Sequence, residues 1–182
     1  MSRELSKRTR TIIAILLLTM AGAMIGWIYE ELFYRINDGE WVRRGQGGPW
    51  LPIYAFGALG LTLVTYRKKY NPLIVFLITC LGSFLIEFTT GYVLFHFFGG
   101  KRLWDYNTEI WNWGNIGGYV CFRSVAIFGF MGIFFVKWAI PGILNLTSKL
   151  ESRKLLAIAV PLLAVFIGDV LFAYILRPLL GA

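Results

Sequence analysis

The chain has 182 residues, of which 57% are hydrophobic, 17% aromatic and 15% charged, with a formal net charge of +8. Soluble domains average ~45–50% apolar and ~25% charged residues, so a single core cannot hide this much apolar surface and the solvent for most of the chain is lipid. In such a chain the positive excess belongs to basic loops that set topology and meet anionic head groups, and no basic stretch carries the aromatic platform of a nucleic-acid binder.

Five apolar segments, at about 11–34, 50–66, 72–99, 117–138 and 155–177, predict an all-α membrane protein with five transmembrane helices. The first follows Arg3, Lys7, Arg8 and Arg10 and contains "AGA" at Ala21–Ala23, a pattern shared with cleavable signal peptides; its apolar run continues unbroken to Phe33, which predicts a retained span. Within it Gly22, Gly26 and Glu30 fall at i, i+4 and i+8 and so share one helix face. Gly22 and Gly26 let a second helix approach closely, and Glu30 then faces that partner, while Glu31 points about 100° away towards water.

Residues 35–49, "RINDGEWVRRGQGGP", form a polar segment with an interfacial or re-entrant character. Its Arg43, Arg44, Gly45, Gly47 and Gly48 make a basic, glycine-rich turn that suits either an anion or a lipid phosphate. Pro52 starts the short second helix, where a missing N–H costs nothing. In the third span Ser83, Glu87 and Gly91 repeat the stripe of small residue, glutamate and glycine. A charge at the bilayer centre costs ~2.5–3.5 kcal/mol on insertion scales, so Glu87 requires a partner, a proton or a water-filled cavity. His96 reads as an interfacial side chain rather than a ligand, and Cys80 and Cys121 as small buried hydrophobes, since none has a spaced metal-binding partner.

Residues 99–116, "GGKRLWDYNTEIWNWGNI", are a second polar segment in which Trp104, Trp111 and Trp113, like Trp41 and Trp50 before them, suit the membrane interface. Arg123, inside the fourth apolar run, is the expected counter-charge for Glu87 or Glu30. Asp169, in the fifth run, has no evident partner in the sequence. Small residue, glutamate, polar loop and a Phe-Gly motif ("FGALG" at 56–60, "FGFMG" at 128–132) recur in both halves, so helices 1–2 and 3–4 read as an internal repeat. On that scheme residues 1–138 are a core of two helical hairpins, and 139–182 are a cytoplasmic loop plus an appended helix. With the N-terminus inside and the C-terminus outside, eleven basic residues lie on inner segments and six on outer ones, which is the orientation favoured by the positive-inside rule.

"GWIYEELF", "RRGQGGPWLPIYAFGALG", "LIEFTTGYVL", "LWDYN" and "GGYVCFRSVAIFG" follow one another with the spacing of the CmpB-like, type IV ABC-transporter permease family, which the chain resembles over about residues 22–138. The resemblance implies a bacterial cell-membrane protein and a transport role. It matches at Trp27, Glu30, Arg44, Gly45, Gly48, Pro49, Pro52, Ile53, Tyr54, Gly57, Glu87, Gly91, Trp104, Asp105, Tyr106, Asn112, Arg123 and Gly129. Arg43 and Ala55 stand where that pattern has asparagine and glycine. The expected substrate or ion site is therefore Glu30, Glu87 and Arg123 with Trp27, Arg44, Tyr54, Trp104, Asp105, Tyr106 and Asn112; the glycines and prolines, with Gly22 and Gly26, shape the backbone.

Three functions compete. A transport permease would need its ATPase from a separate subunit, because no Walker A motif is present, and would gain from homo-oligomerisation. An intramembrane enzyme acting on lipid-linked or phosphorylated lipid substrates would use Asp105, Glu30, Arg44 and Asn112, although no catalytic signature is recognisable. A membrane scaffold or assembly factor would use the same charges as packing contacts. No cofactor, metal or nucleic-acid partner is expected.

Overall fold

The computed structural model describes residues 4–41 and 45–180. They are helical with irregular connections: α1 (Lys7–Asn37), α2 (Pro52–Thr65), α3 (Pro72–Phe97), α4 (Phe122–Lys149) and α5 (Ser152–Leu179). All but α2 are long and apolar enough to cross a bilayer. The fold class is thus the one expected, with one correction to the five spans. At 14 residues, α2 is only about 21 Å long against a hydrocarbon core of about 30 Å. Pro52 sets its start, and the chain turns away before the Arg67-Lys68-Lys69 run.

Local chemistry explains the helix boundaries. The Ser6 hydroxyl accepts the Thr9 N–H (3.1 Å) ahead of α1, and Asn71 Oδ1 accepts the Ile74 N–H (2.8 Å) ahead of α3. In α4 the helix begins at Phe122, five residues later than its apolar run, because Gly117 (φ +61°) and Gly118 (φ +79°) take left-handed backbone that a helix does not accommodate. It then continues through 140–149, where a loop was expected. The continuation uses a π turn at Phe135–Ala139, two residues ahead of Pro141, and α5 repeats the device with Phe172–Leu176 ahead of Pro178. A proline crowds the carbonyl one turn earlier and lacks the N–H that would bond to it; the wider turn relieves both.

The chain divides into two units, residues 1–63 with 138–182, and residues 64–137. In the first, α1 packs on α2, on the end of α4 and on α5. Gly22 lies against Ala58, and Gly26 against the Tyr54 ring, so closely that a Cβ at either position would collide. The close helix approach inferred from the Gly22–Gly26 spacing is therefore met by α2. Ile13 of α1 packs with Leu155 and Ala159 of α5, and Met20 and Ala23 pack with Trp50 and Phe166.

Arg10 organises the other end of this unit. Its guanidinium donates to the carbonyls of Thr147 (2.8 Å) and Leu150 (2.6 Å), which close α4, and to Ser152 Oγ (3.0 Å) at the start of α5. Carbonyls at a helix end lack intrahelical donors, so the cation satisfies the end of α4 and ties it to the first side chain of α5. Hydrogen bonds from a charged group contribute roughly 1.5–3 kcal/mol. Arg10→Ala is expected to lower stability by about 2 kcal/mol in a detergent unfolding titration, with Arg10→Lys recovering part of the loss because it lacks the forked donors.

Candidate functional site

The second unit holds a buried polar cluster built from α3, the start of α4 and the segment between them. Glu87, Tyr106, Glu109, Arg123 and Ser124 are each between 1% and 7% exposed. Tyr106 donates its hydroxyl to Glu87 Oε1 (2.6 Å). Ser124 Oγ lies 2.9 Å from Glu87 Oε2 and 3.0 Å from the Cys121 carbonyl, so its single proton serves one acceptor at a time. Arg123 forms an ion pair with Glu109 (2.6 Å), and its guanidinium carbon stands 5.5 Å from the Tyr106 ring centre. Burial pushes the Tyr106 phenol well above its ordinary range, and the neighbouring Glu87 adds to the shift. The hydroxyl therefore stays protonated and remains a donor.

Arg123 had been expected to pair with Glu87 or Glu30; its ion-pair partner is Glu109. Because α4 starts at Phe122, Arg123 sits in the first helical turn, where an acid in the preceding segment can reach it. Glu109 is the only carboxylate between Tyr106 and Leu150, a sequence signal that a later helix start would have exposed.

The segment 99–121 is ordered by its own side chains. Asp105 Oδ1 accepts the Asn107 N–H (3.1 Å) and Nδ2 (2.7 Å) and pairs with Arg102 (3.3 Å). A Cβ at Gly118 would strike Asn107, Arg102 and Asp105. Trp104 donates to the Tyr119 carbonyl (2.8 Å) and Asn112 to that of Tyr106 (3.0 Å). Trp104, Asp105 and Asn112 thus hold the loop that delivers Tyr106 and Glu109. Gly91 accommodates the side chain and backbone of Tyr119, whose hydroxyl is 3.1 Å from His96 Nε2; Gly129 accommodates Phe76 and Cys80, and Gly132, not singled out from the sequence, accommodates Thr79.

Glu30 belongs to the first unit, where Tyr54 donates to its Oε1 (3.0 Å). Trp27 is half-buried on α1. Gly57 faces open space, so no close approach accounts for it. Arg43 and Arg44 lie outside the described residues, whereas the turn after them is well tied. Gly45 has φ +75°, and a Cβ there would meet Tyr174 and Leu51; Gly48 packs against the Trp50 ring. Asp169 of α5, partnerless in the sequence, accepts the Gly48 N–H and the Trp50 indole N–H, each at 2.7 Å. The Gln46 N–H bonds to the Tyr174 hydroxyl (3.2 Å) and the Leu51 N–H to the Ala23 carbonyl (3.2 Å). Ala23 is 13 residues, or about 20 Å, along α1 from Arg10 and inside its apolar run, so Leu51 joins α1 within the length of a span. An internal carboxylate thus fills the anion position of this glycine-rich turn, and irregular backbone is tolerated at that depth when the protein satisfies its polar groups.

Span-length apolar helices with buried, internally bonded charges define a multi-pass helical membrane protein. The family model described as "Putative ABC-transporter type IV" (ABC_trans_CmpB) matches residues 17–174, and the chain belongs to that family. The match runs past residue 138 and takes in most of α5. No curated protein and no solved structure matches the chain.

Breaking a buried ion pair by removing one partner costs about 3–5 kcal/mol, because the other charge is left behind. Glu109→Gln and Arg123→Gln should each destabilise to that extent, and the double variant by clearly less than their sum. Exchanging Glu87 and Arg123 should recover nothing lost in the single variants. Thermal unfolding of the set in detergent checks both expectations.

Proposed function

We propose that the protein is a permease-like membrane subunit of a transporter, energised by an ATPase on a separate chain, with the Glu87–Tyr106–Glu109–Arg123 cluster as its polar site. The observation that carries this reading is the burial of two carboxylates and a guanidinium between α3, α4 and a folded outer segment, within a chain of the ABC-transporter type IV family. Ionisable groups at membrane depth are costly, and they commonly mark the path or the coupling element of a transporter. Glu30 with Tyr54 supplies a comparable glutamate–tyrosine pair in the first unit, consistent with an internal repeat.

The distribution of basic residues supports an orientation with the N-terminus in the cytoplasm of a bacterial cell and the C-terminus outside. Residues 99–121 then cap the site from the outer face. A homo-oligomer would give a chain of this size a wider path. The second reading, a scaffold, draws on the same cluster, since Glu87 is hydrogen-bonded through both oxygens as a structural group would be. The enzyme reading gains no such support: Asp105 is tied to Arg102 and Asn107 within its own turn.

Mass spectrometry of the gently solubilised protein separates the two readings. Under the transport reading an ATP-hydrolysing chain is retained, and a bound solute retained by the wild type is lost in Glu87→Gln at unchanged thermal stability. Absence of both, together with a lowered melting temperature for Glu87→Gln, supports the scaffold.

A further inference from the structure

Between α2 and α3, "YRKKY" at 66–70 holds three consecutive cations. The Lys68 N–H closes a turn on the Thr65 carbonyl (3.0 Å), and Arg67 adopts φ +59°. A non-glycine residue rarely takes that left-handed backbone, which directs the Arg67 side chain differently from its neighbours. The Arg67 guanidinium lies 5.1 Å from the Tyr66 ring centre and the Lys68 ammonium 5.9 Å from that of Tyr70. A fourth cation arrives from α4: Lys137, inside the π turn Phe135–Ala139, donates to the Tyr70 carbonyl (3.1 Å).

Among the described residues these charges, Arg67, Lys68, Lys69 and Lys137, form no ion pair with an internal anion. No Asp or Glu occurs in residues 41–86 or 110–150. Arg102, Arg123 and Lys154, by contrast, face carboxylates. An aromatic face attracts a cation through its quadrupole but does not neutralise it. Apolar side chains flank the turn: Val64 (44% exposed) ends α2, Leu73 (65%) begins α3, and Phe134 (54%) lies one turn before Lys137 in α4. Side chains of that kind lie in hydrocarbon, and the adjoining layer is the head-group layer, where tyrosine and basic residues settle.

We infer that the Tyr66–Tyr70 turn together with Lys137 is a binding site for the phosphate of an anionic phospholipid. The partner's chemistry follows from the pairing of a fourfold unneutralised cation cluster with an apolar rim. A phosphate carried on acyl chains satisfies both surfaces, whereas a soluble anion satisfies only the first. A cation near an anionic membrane surface strengthens binding by about fivefold, so neutralising two should weaken it by about twenty-five-fold. The site is independent of the transport reading, because it uses none of the residues of the polar cluster.

Native mass spectrometry of the detergent-solubilised chain, titrated with phosphatidylglycerol or phosphatidylcholine, tests the assignment. The wild type is expected to retain phosphatidylglycerol in preference to phosphatidylcholine. Lys68→Gln/Lys69→Gln and, separately, Lys137→Gln should lower phosphatidylglycerol retention and leave phosphatidylcholine retention and the melting temperature unchanged. Arg8→Gln/Lys154→Gln, which removes the same charge from the first unit, should leave the preference intact. Equal retention of the two lipids by the wild type overturns the site, as does an equal loss from the Arg8/Lys154 variant. Displacement of the lipid by stoichiometric inorganic phosphate would show a free-phosphate site and overturn the lipid assignment. Binding confined to an acidic protein, without lipid preference, would overturn it as well.

Discussion

A polar group placed at membrane depth has no water to fall back on, so the chain itself must supply its partner. Much of the structure follows from that constraint. Glu87 is bonded by Tyr106 and Ser124, Arg123 is bonded to Glu109, and Glu30 is bonded by Tyr54. The same constraint acts on the backbone: the bend at 46–51 enters the span region with its N–H groups taken up by Tyr174, Asp169 and Ala23.

Seen this way, the segment 99–121 is a structural half of the polar cluster rather than a loop between helices. It contributes a neutral donor and an anion to a site whose other members come from α3 and α4. Its turns at Asp105 and Gly118 place Tyr106, and Asn112 holds the Tyr106 carbonyl. The last helix has a comparable position in the first unit. Asp169 and Tyr174 hold the turn that leads into α2, and Phe166 meets Trp50 edge-on with ring centres 5.5 Å apart. A helix that the motifs left outside the core is integral to it, in keeping with a family match that continues to residue 174.

The helices also show how an apolar chain carries its irregularities. Pro141 and Pro178 each follow a π turn, whereas Pro161 is carried within regular α-helix in α5. At the junction of α4 and α5 the donors come instead from Arg10, whose place in the first turn of α1 gives it reach to both helix ends.

Several features were legible in the sequence. Apolar run length and composition identified a helical membrane protein, because a bilayer demands a minimum length and tolerates few charges. The Gly22–Gly26 spacing announced a close helix contact, and the motif order announced the family. Pro52 announced a helix start, since a ring without an N–H fits there. Pairing was not legible. Glu109 and Arg123 are 14 residues apart, Gly48 and Asp169 are 121 apart, and both contacts depend on where a helix begins and which helix packs beside it. Periodicity places residues on a face but does not say what the face meets. An electrostatic or hydrogen-bonding partner at membrane depth is chosen by proximity in three dimensions, and only the tertiary structure decides that.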